Sequence, residues 1–158
     1  MKIQEHQFYV SGTYYFRYNL TDKKLLYYPF PTGDQYGNAD SVFLYDLTNN
    51  APIEPMEQDS SGLLFLADFS KSSDISVQIS YKQPLLGNQA EYILETTKVW
   101  GKPFEEATYQ LIIPSSIFIT RFAIPPNDSI ITDMEKIYTW EKSNYMPERN
   151  MVFEFDAK

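Results

Sequence analysis

Acid–base chemistry in this chain would have to rest on carboxylates. Its 158 residues include one histidine, His6, and no cysteine. That removes thiol nucleophiles, zinc–thiolate sites and disulfide frameworks, and a Ser-His-Asp triad would have only His6 to use. His6 is close to the N-terminus, where chains fray, which suits a catalytic base poorly. Two carboxylates facing one another at about 5–9 Å would suffice for a glycoside hydrolase. Glu54, Glu57, Glu95, Glu105, Glu106 and Glu141 are the available stock. None carries a distinguishing local pattern, and Glu105-Glu106 reads as a solvated turn ahead of a strand. No glycine-rich phosphate loop of the GxxxxGK[ST] or GxGxxG kind is present.

Two other constellations could bind rather than react. Asp34, Asn38 and Asp40 share one glycine-containing loop, at spacings that let their oxygens converge on a hard cation such as Ca2+. Turn formation is the ordinary use of the same residues, and no EF-hand pattern accompanies them. Ca2+ is the one cofactor the sequence suggests. Carbohydrate binding would use exposed aromatic rings as stacking platforms, with polar side chains for the sugar hydroxyls. Trp100, Trp140, Tyr138 and Tyr145 are the candidate ligand-binding residues, with Tyr36 beside them. Trp100 follows a strand and precedes Gly101, a setting that favours a packed plug over a sugar platform.

These side chains are positioned by strands. Ile75, Val77, Ile79 and Tyr81 alternate with Ser76, Gln78 and Ser80, the period of a strand with one buried and one wet face. Tyr92, Leu94 and Thr96 repeat the alternation, and so do Ala107, Tyr109, Leu111 and Ile113. With turns at Leu86-Gly87-Asn88 and Gly101-Lys102-Pro103 between them, the three strands read as an antiparallel sheet. Upstream, Tyr14, Phe16, Tyr18 and Leu20 share a face opposite Tyr15, Arg17 and Asn19. Gly12 marks a bulge or bend. A polar turn at 21–24 followed by a short strand at 25–28 predicts a hairpin. Loops at 29–40 and 48–62 flank a strand at 42–47. Further strands are expected at 63–69, 117–124, 137–141 and 151–155, with one helical turn at 133–136. The inward set is Phe65, Ile75, Val77, Ile79, Tyr109, Leu111 and Ile113.

About ten short strands, and no sustained helical stripe, predict an all-β fold. The expected architecture is a single domain over 1–158, an antiparallel two-sheet β-sandwich of immunoglobulin-like or jelly-roll character. A closed β-barrel is the alternative. A domain of this length buries roughly 70% of the surface its unfolded chain exposes. Aromatic residues make up 16% of the chain, which fits a core of large inter-sheet side chains.

The net charge of −8 repels phosphate backbones and anionic lipid heads, so no nucleic-acid partner is expected. No apolar run approaches the roughly 20 residues that span a bilayer, and MKIQEHQFYV lacks the apolar core of a signal peptide. The expectation is a cytoplasmic protein or a piece of a longer exported one, with membrane contact only through segments absent from this chain.

One segment, YILETTKVWGKPFEEATY, resembles a known pattern: tyrosine–x–leucine–x–threonine, then tryptophan, proline and alanine at the spacings of Trp100, Pro103 and Ala107. It is similar to a family of uncharacterised bacterial and archaeal exported proteins. The resemblance covers about forty residues and implies a β-sandwich ectodomain at the cell surface, without naming a catalytic residue. The leading functional expectation is therefore a non-catalytic extracytoplasmic β-sandwich module for binding or assembly, with a protein or carbohydrate ligand. The alternatives are a carbohydrate-binding module or two-carboxylate glycoside hydrolase, and a structural spacer of a longer surface protein. Cytoplasmic location is the alternative to the cell surface.

Overall fold

The computed structural model describes residues 1–19, 22–95 and 103–157. Strand accounts for 64% of the chain and helix for 1%, which makes the protein all-β. In chain order the strands are β1 (Lys2–Gln4), β2 (Gln7–Arg17), β3 (Lys23–Pro29), β4 (Asp40–Asp46), β5 (Ala51–Pro52), β6 (Glu57–Gln58) and β7 (Gly62–Asp68). They continue with β8 (Asp74–Pro84), β9 (Gln89–Tyr92), β10 (Phe104–Pro114), β11 (Ile117–Phe122), β12 (Asp128–Ile131), β13 (Glu135–Tyr145) and β14 (Met151–Ala157). The strands beyond the expected ten are β1, β5, β6 and β12, two to four residues each, too short to show a period in sequence.

An eight-stranded sheet in the order β12-β13-β10-β1-β2-β8-β4-β5 forms one layer. Its pairs are antiparallel except β1 with β10. Two three-stranded sheets, β11-β14-β9 and β3-β7-β6, lie against one face of it. Phe153 of β14 meets Phe8 and Trp140, Tyr92 of β9 meets Tyr109, and Phe30, just after β3, meets Tyr81. None of the sheets closes into a barrel among the described residues. The arrangement is a β-sandwich, and the expected inward residues are in its core. Phe65, Ile75, Val77, Ile79, Leu111 and Ile113 are buried, and Tyr109 packs half-buried against them.

Three local expectations are corrected. The strands at 8–20 and 25–28 do not form a hairpin. β2 pairs with β1 and β8, while β3 pairs with β7 in another sheet, because the chain crosses between layers after Arg17. The three strands of 75–113 are likewise not neighbours: β8 lies between β2 and β4, β9 pairs with β14, and β10 lies between β1 and β13. The middle one is also displaced, since β9 ends at Tyr92, where the expected alternation began, and residues 93–95 are not strand. Alternation reports which face of a strand is buried but not which strand lies beside it. The helical turn at 133–136 is instead the reversal joining β12 to β13. Thr132 Oγ1 accepts the amides of Met134 and Glu135, and the Thr132 amide donates to the Glu135 carbonyl.

Gly12 is not a bulge either. The β2–β8 register runs unbroken from Gln7↔Pro84 to Arg17↔Asp74. A side chain at Gly12 would put its Cβ 3.0 Å from the Tyr14 hydroxyl, so the glycine makes room for the Tyr14 ring folded over it. Bulges occur elsewhere, between Asp40 and Phe43 in β4 and between Ile119 and Arg121 in β11. The β1–β2 hairpin turns on Glu5-His6 alone, both with positive φ (52° and 57°), as a two-residue type I′ turn requires.

Candidate functional site on the outer face of the large sheet

Trp140, expected as a sugar platform, is a correction: it is fully buried, and its indole N–H donates to the Ile124 carbonyl at 2.9 Å. β13 pairs Trp140 with Tyr109 and Tyr138 with Leu111, all on the inner face, so the covering sheet reaches these rings before any ligand. Tyr138 stands edge-on to Phe122, 4.9 Å between centroids, and Tyr145 closes the end of β13 half-buried against the core. Burial raises both phenols above their ordinary pKa. Trp100 lies outside the described residues.

Tyr36 is buried in a polar network. Its hydroxyl donates to Glu91 at 3.2 Å and accepts from Gln89 at 2.7 Å, and burial pushes its pKa up to about 12. Asn150 braces the same carboxylate and caps the Leu94 and Glu95 amides.

Of the cation set, Asp34 and Asn38 are exposed in the loop. Asp40 accepts a hydrogen bond from Ser41 at 2.8 Å and pairs with Lys82 at 3.3 Å. Those two partners, Ser41 first, hold its carboxyl below the usual range. Among the described residues no group of three or more His, Cys, Asp or Glu side chains is placed to hold a metal ion. Glu54, Glu57, Glu95, Glu105, Glu106 and Glu141 are all exposed.

The feature that composition and spacing did not single out is the wet face of the eight-stranded sheet. On β2 this face carries Tyr9, Ser11, Thr13 and Tyr15. On β8 it carries Lys82, Ser80 and Gln78, each directly opposite its β2 counterpart. On β4 it carries Phe43 and Tyr45, opposite Ser80 and Gln78, their rings stacked at 5.9 Å with 12° between planes. Tyr15 is 81% exposed, Phe43 47% and Tyr9 39%. Tyr9 and Tyr15 are about 20 Å apart along the strand, and β4 lies about 10 Å to the side.

At the Tyr9 end this face deepens into an open depression of about 460 Å³, lined among others by Lys2, Tyr9, Ser11, Ser41, Ser80 and Lys82. The β4 bulge forms its rim. Between Asp40↔Lys82 and Phe43↔Ser80 the strand carries one extra residue, and Ser41 holds φ at 52°. A non-glycine residue in the left-handed region is uncommon, and bulges recur where a side chain must be re-aimed beside a functional site. Here the bulge brings Ser41 to the depression.

No family model, no curated protein and no solved structure matches this chain. The site is therefore read from its own chemistry. It offers flat rings, hydroxyls and an amide on a rigid sheet, and no pair of facing carboxylates is among the residues lining the depression. Among the described residues no helix is long and apolar enough to cross a membrane.

The signal that would have found this face is in β2. Its wet side carries two aromatic residues, Tyr9 and Tyr15, with the hydroxyl residues Ser11 and Thr13 between them, before it ends at the exposed Arg17.

Proposed function

We propose that this chain is a non-catalytic, extracytoplasmic binding module that takes a carbohydrate along the outer face of its eight-stranded sheet. The supporting observation is the depression at Tyr9, with bulged Ser41 on its rim and exposed Tyr15 and Phe43 extending the surface. Sugar rings present apolar CH faces to aromatic rings and hydroxyls to Ser, Thr and Gln side chains, and this face provides both. A flat, open surface suits a chain of sugars lying across the strands. The exported location rests on the resemblance of the 92–109 segment and belongs to the same proposal.

The test is a glycan array followed by calorimetry with the best oligosaccharide. The combined Tyr9→Ala, Tyr15→Ala and Phe43→Ala variant should lose binding while its thermal midpoint stays close to that of the parent, since these side chains leave the core intact. Binding that survives in this variant, or an array with no positive glycan, would overturn the reading.

A further inference from the structure

The depression has a charge pattern opposite to the chain's overall acidity. Carboxylates outnumber Lys and Arg by 21 to 13 in the sequence, yet the residues lining this depression include two lysines and no Asp or Glu. The register places those lysines symmetrically. Lys2 on β1 is directly opposite Tyr9 on β2, and Tyr9 is directly opposite Lys82 on β8. The outer face thus carries a Lys–Tyr–Lys row across three adjacent strands, with neighbouring strands about 4.8 Å apart.

The next rung holds Ser11 opposite Ser80, and Ser41 stands at the bulge. Asp40 engages Lys82 from the rim, which orients that ammonium and partly offsets it, while Lys2 is exposed. A tyrosine with a lysine directly opposite it on each neighbouring strand, and hydroxyls one rung away, matches a ligand with a ring to stack, hydroxyls to bond and a carboxylate to pair.

We infer that the depression recognises an acidic sugar, a uronate unit, whose ring lies on Tyr9 and whose carboxylate is held between Lys2 and Lys82. This rests on the carbohydrate reading above and sharpens it to a charged subsite. Tyr9 supplies stacking that any hexose would use. The lysines supply discrimination, because a neutral sugar offers no counter-charge to Lys2 and adds none to Lys82 beyond Asp40. An acidic peptide would satisfy the lysines but would leave the flat ring and the serine rung unused.

The experiment compares three probes by calorimetry at low and at physiological salt: hexagalacturonate, the neutral hexasaccharide cellohexaose, and hexaglutamate. Lys2→Met and Lys82→Met are the variants, each checked by thermal melting. Both side chains are on the wet face, so folding should be unaffected. The expected result is that hexagalacturonate binds the parent chain more tightly than either other probe, and weakens as salt screens the lysines. Each variant should lose about tenfold in affinity for the uronate, the scale of one charge-assisted hydrogen bond, with no change for cellohexaose.

If cellohexaose binds and hexagalacturonate does not, the acidic-sugar inference fails and the carbohydrate reading stands. If hexaglutamate binds as tightly as the uronate, the site is anionic but not a sugar site, and the inference is overturned. If no glycan binds, both fail together. Unchanged uronate affinity in both lysine variants would place the ligand elsewhere and overturn the inference as well.

Discussion

Tyr14 and Tyr15 are adjacent in sequence and face opposite ways. Tyr14 folds over Gly12 on the inner face, and its hydroxyl meets those of Tyr28 at 2.9 Å and Tyr92 at 2.5 Å. Burial pushes its pKa up to about 12, with the two hydroxyl contacts working in the other direction. Tyr81, Tyr92 and Tyr109 join the same cluster, their phenols all raised, first by burial. Tyr15 is the most exposed aromatic of the large sheet. Both faces carry tyrosines, but the inner one is otherwise apolar, with Val10, Ile75, Val77, Ile79, Leu111 and Ile113, and the outer one otherwise polar, with Ser11, Thr13, Gln78 and Ser80. The tyrosines of the two faces differ in what covers them. Two three-stranded sheets close the inner face, so its tyrosines become mortar between layers. Nothing among the described residues covers the outer face, so its tyrosines are available to a ligand. Aromatic content alone does not distinguish mortar from platform.

The comparison breaks first at Trp140. Trp140→Ala should cost about 3–5 kcal/mol, because the indole is fully enclosed and the sheets collapse only partly into the cavity. Chemical denaturation with an unchanged slope is the measurement. A cost no larger than that of Tyr15→Ala would mean that the two faces do not differ as described. Ile79→Ala, also inner, should cost about 2–5 kcal/mol. Its sequence neighbour Ser80→Ala, on the wet face, should stay within about 0.5 kcal/mol.

Alkaline titration sharpens the same contrast. Below pH 10, the ordinary tyrosine value, the inner phenols are protonated in both folded and unfolded chains. Above it the unfolded chain releases those protons while the folded chain retains them, for Tyr14 up to about 12. The unfolded state then binds fewer protons, and stability falls as pH rises. Thermal midpoints should therefore decline from pH 10 upward, with the inner tyrosinate absorbance rising together with unfolding. A midpoint level across that window would contradict the burial of the cluster. Tyr14→Phe should cost about 1 kcal/mol at neutral pH and make the alkaline decline shallower.

A small effect of opposite sign belongs to the hairpin between β1 and β2. Replacing Glu5-His6 with Asn-Gly should raise stability by about 0.4–1 kcal/mol, because Asn and Gly adopt positive φ at lower cost. A loss on that scale would mean that the Glu5 or His6 side chain contributes more than its backbone angle costs.

Much of the fold was legible in the sequence. Period-two alternation identified Ile75, Val77 and Ile79 as one buried face, and Leu111 and Ile113 as another, because burial on one side of a pleat selects side chains two by two. The zero cysteine count and the absence of helical stripes were equally direct. The candidate site was less legible. Tyr9, Ser41, Phe43 and Lys82 come from three strands separated by up to seventy-three positions (82 − 9), and no local spacing announces that they share a surface. Trp140 was misplaced because a lone large ring carries the same sequence signal as a platform or as a plug.

By itself, the sequence determined most of the longer strands and, within each, which residues lie on opposite faces. Those properties follow from the alternation of one chain's side chains about its own backbone. Only the tertiary structure decided that β2 and β3 part into different sheets, that β1 joins β2 to β10, and that the Tyr9 face remains open while the Tyr14 face is sealed. Strand partnership is set by backbone hydrogen bonds that are nearly the same for every residue. The partner is therefore chosen by which layers can jointly bury their apolar faces, a property of the assembled sandwich and not of any segment of it.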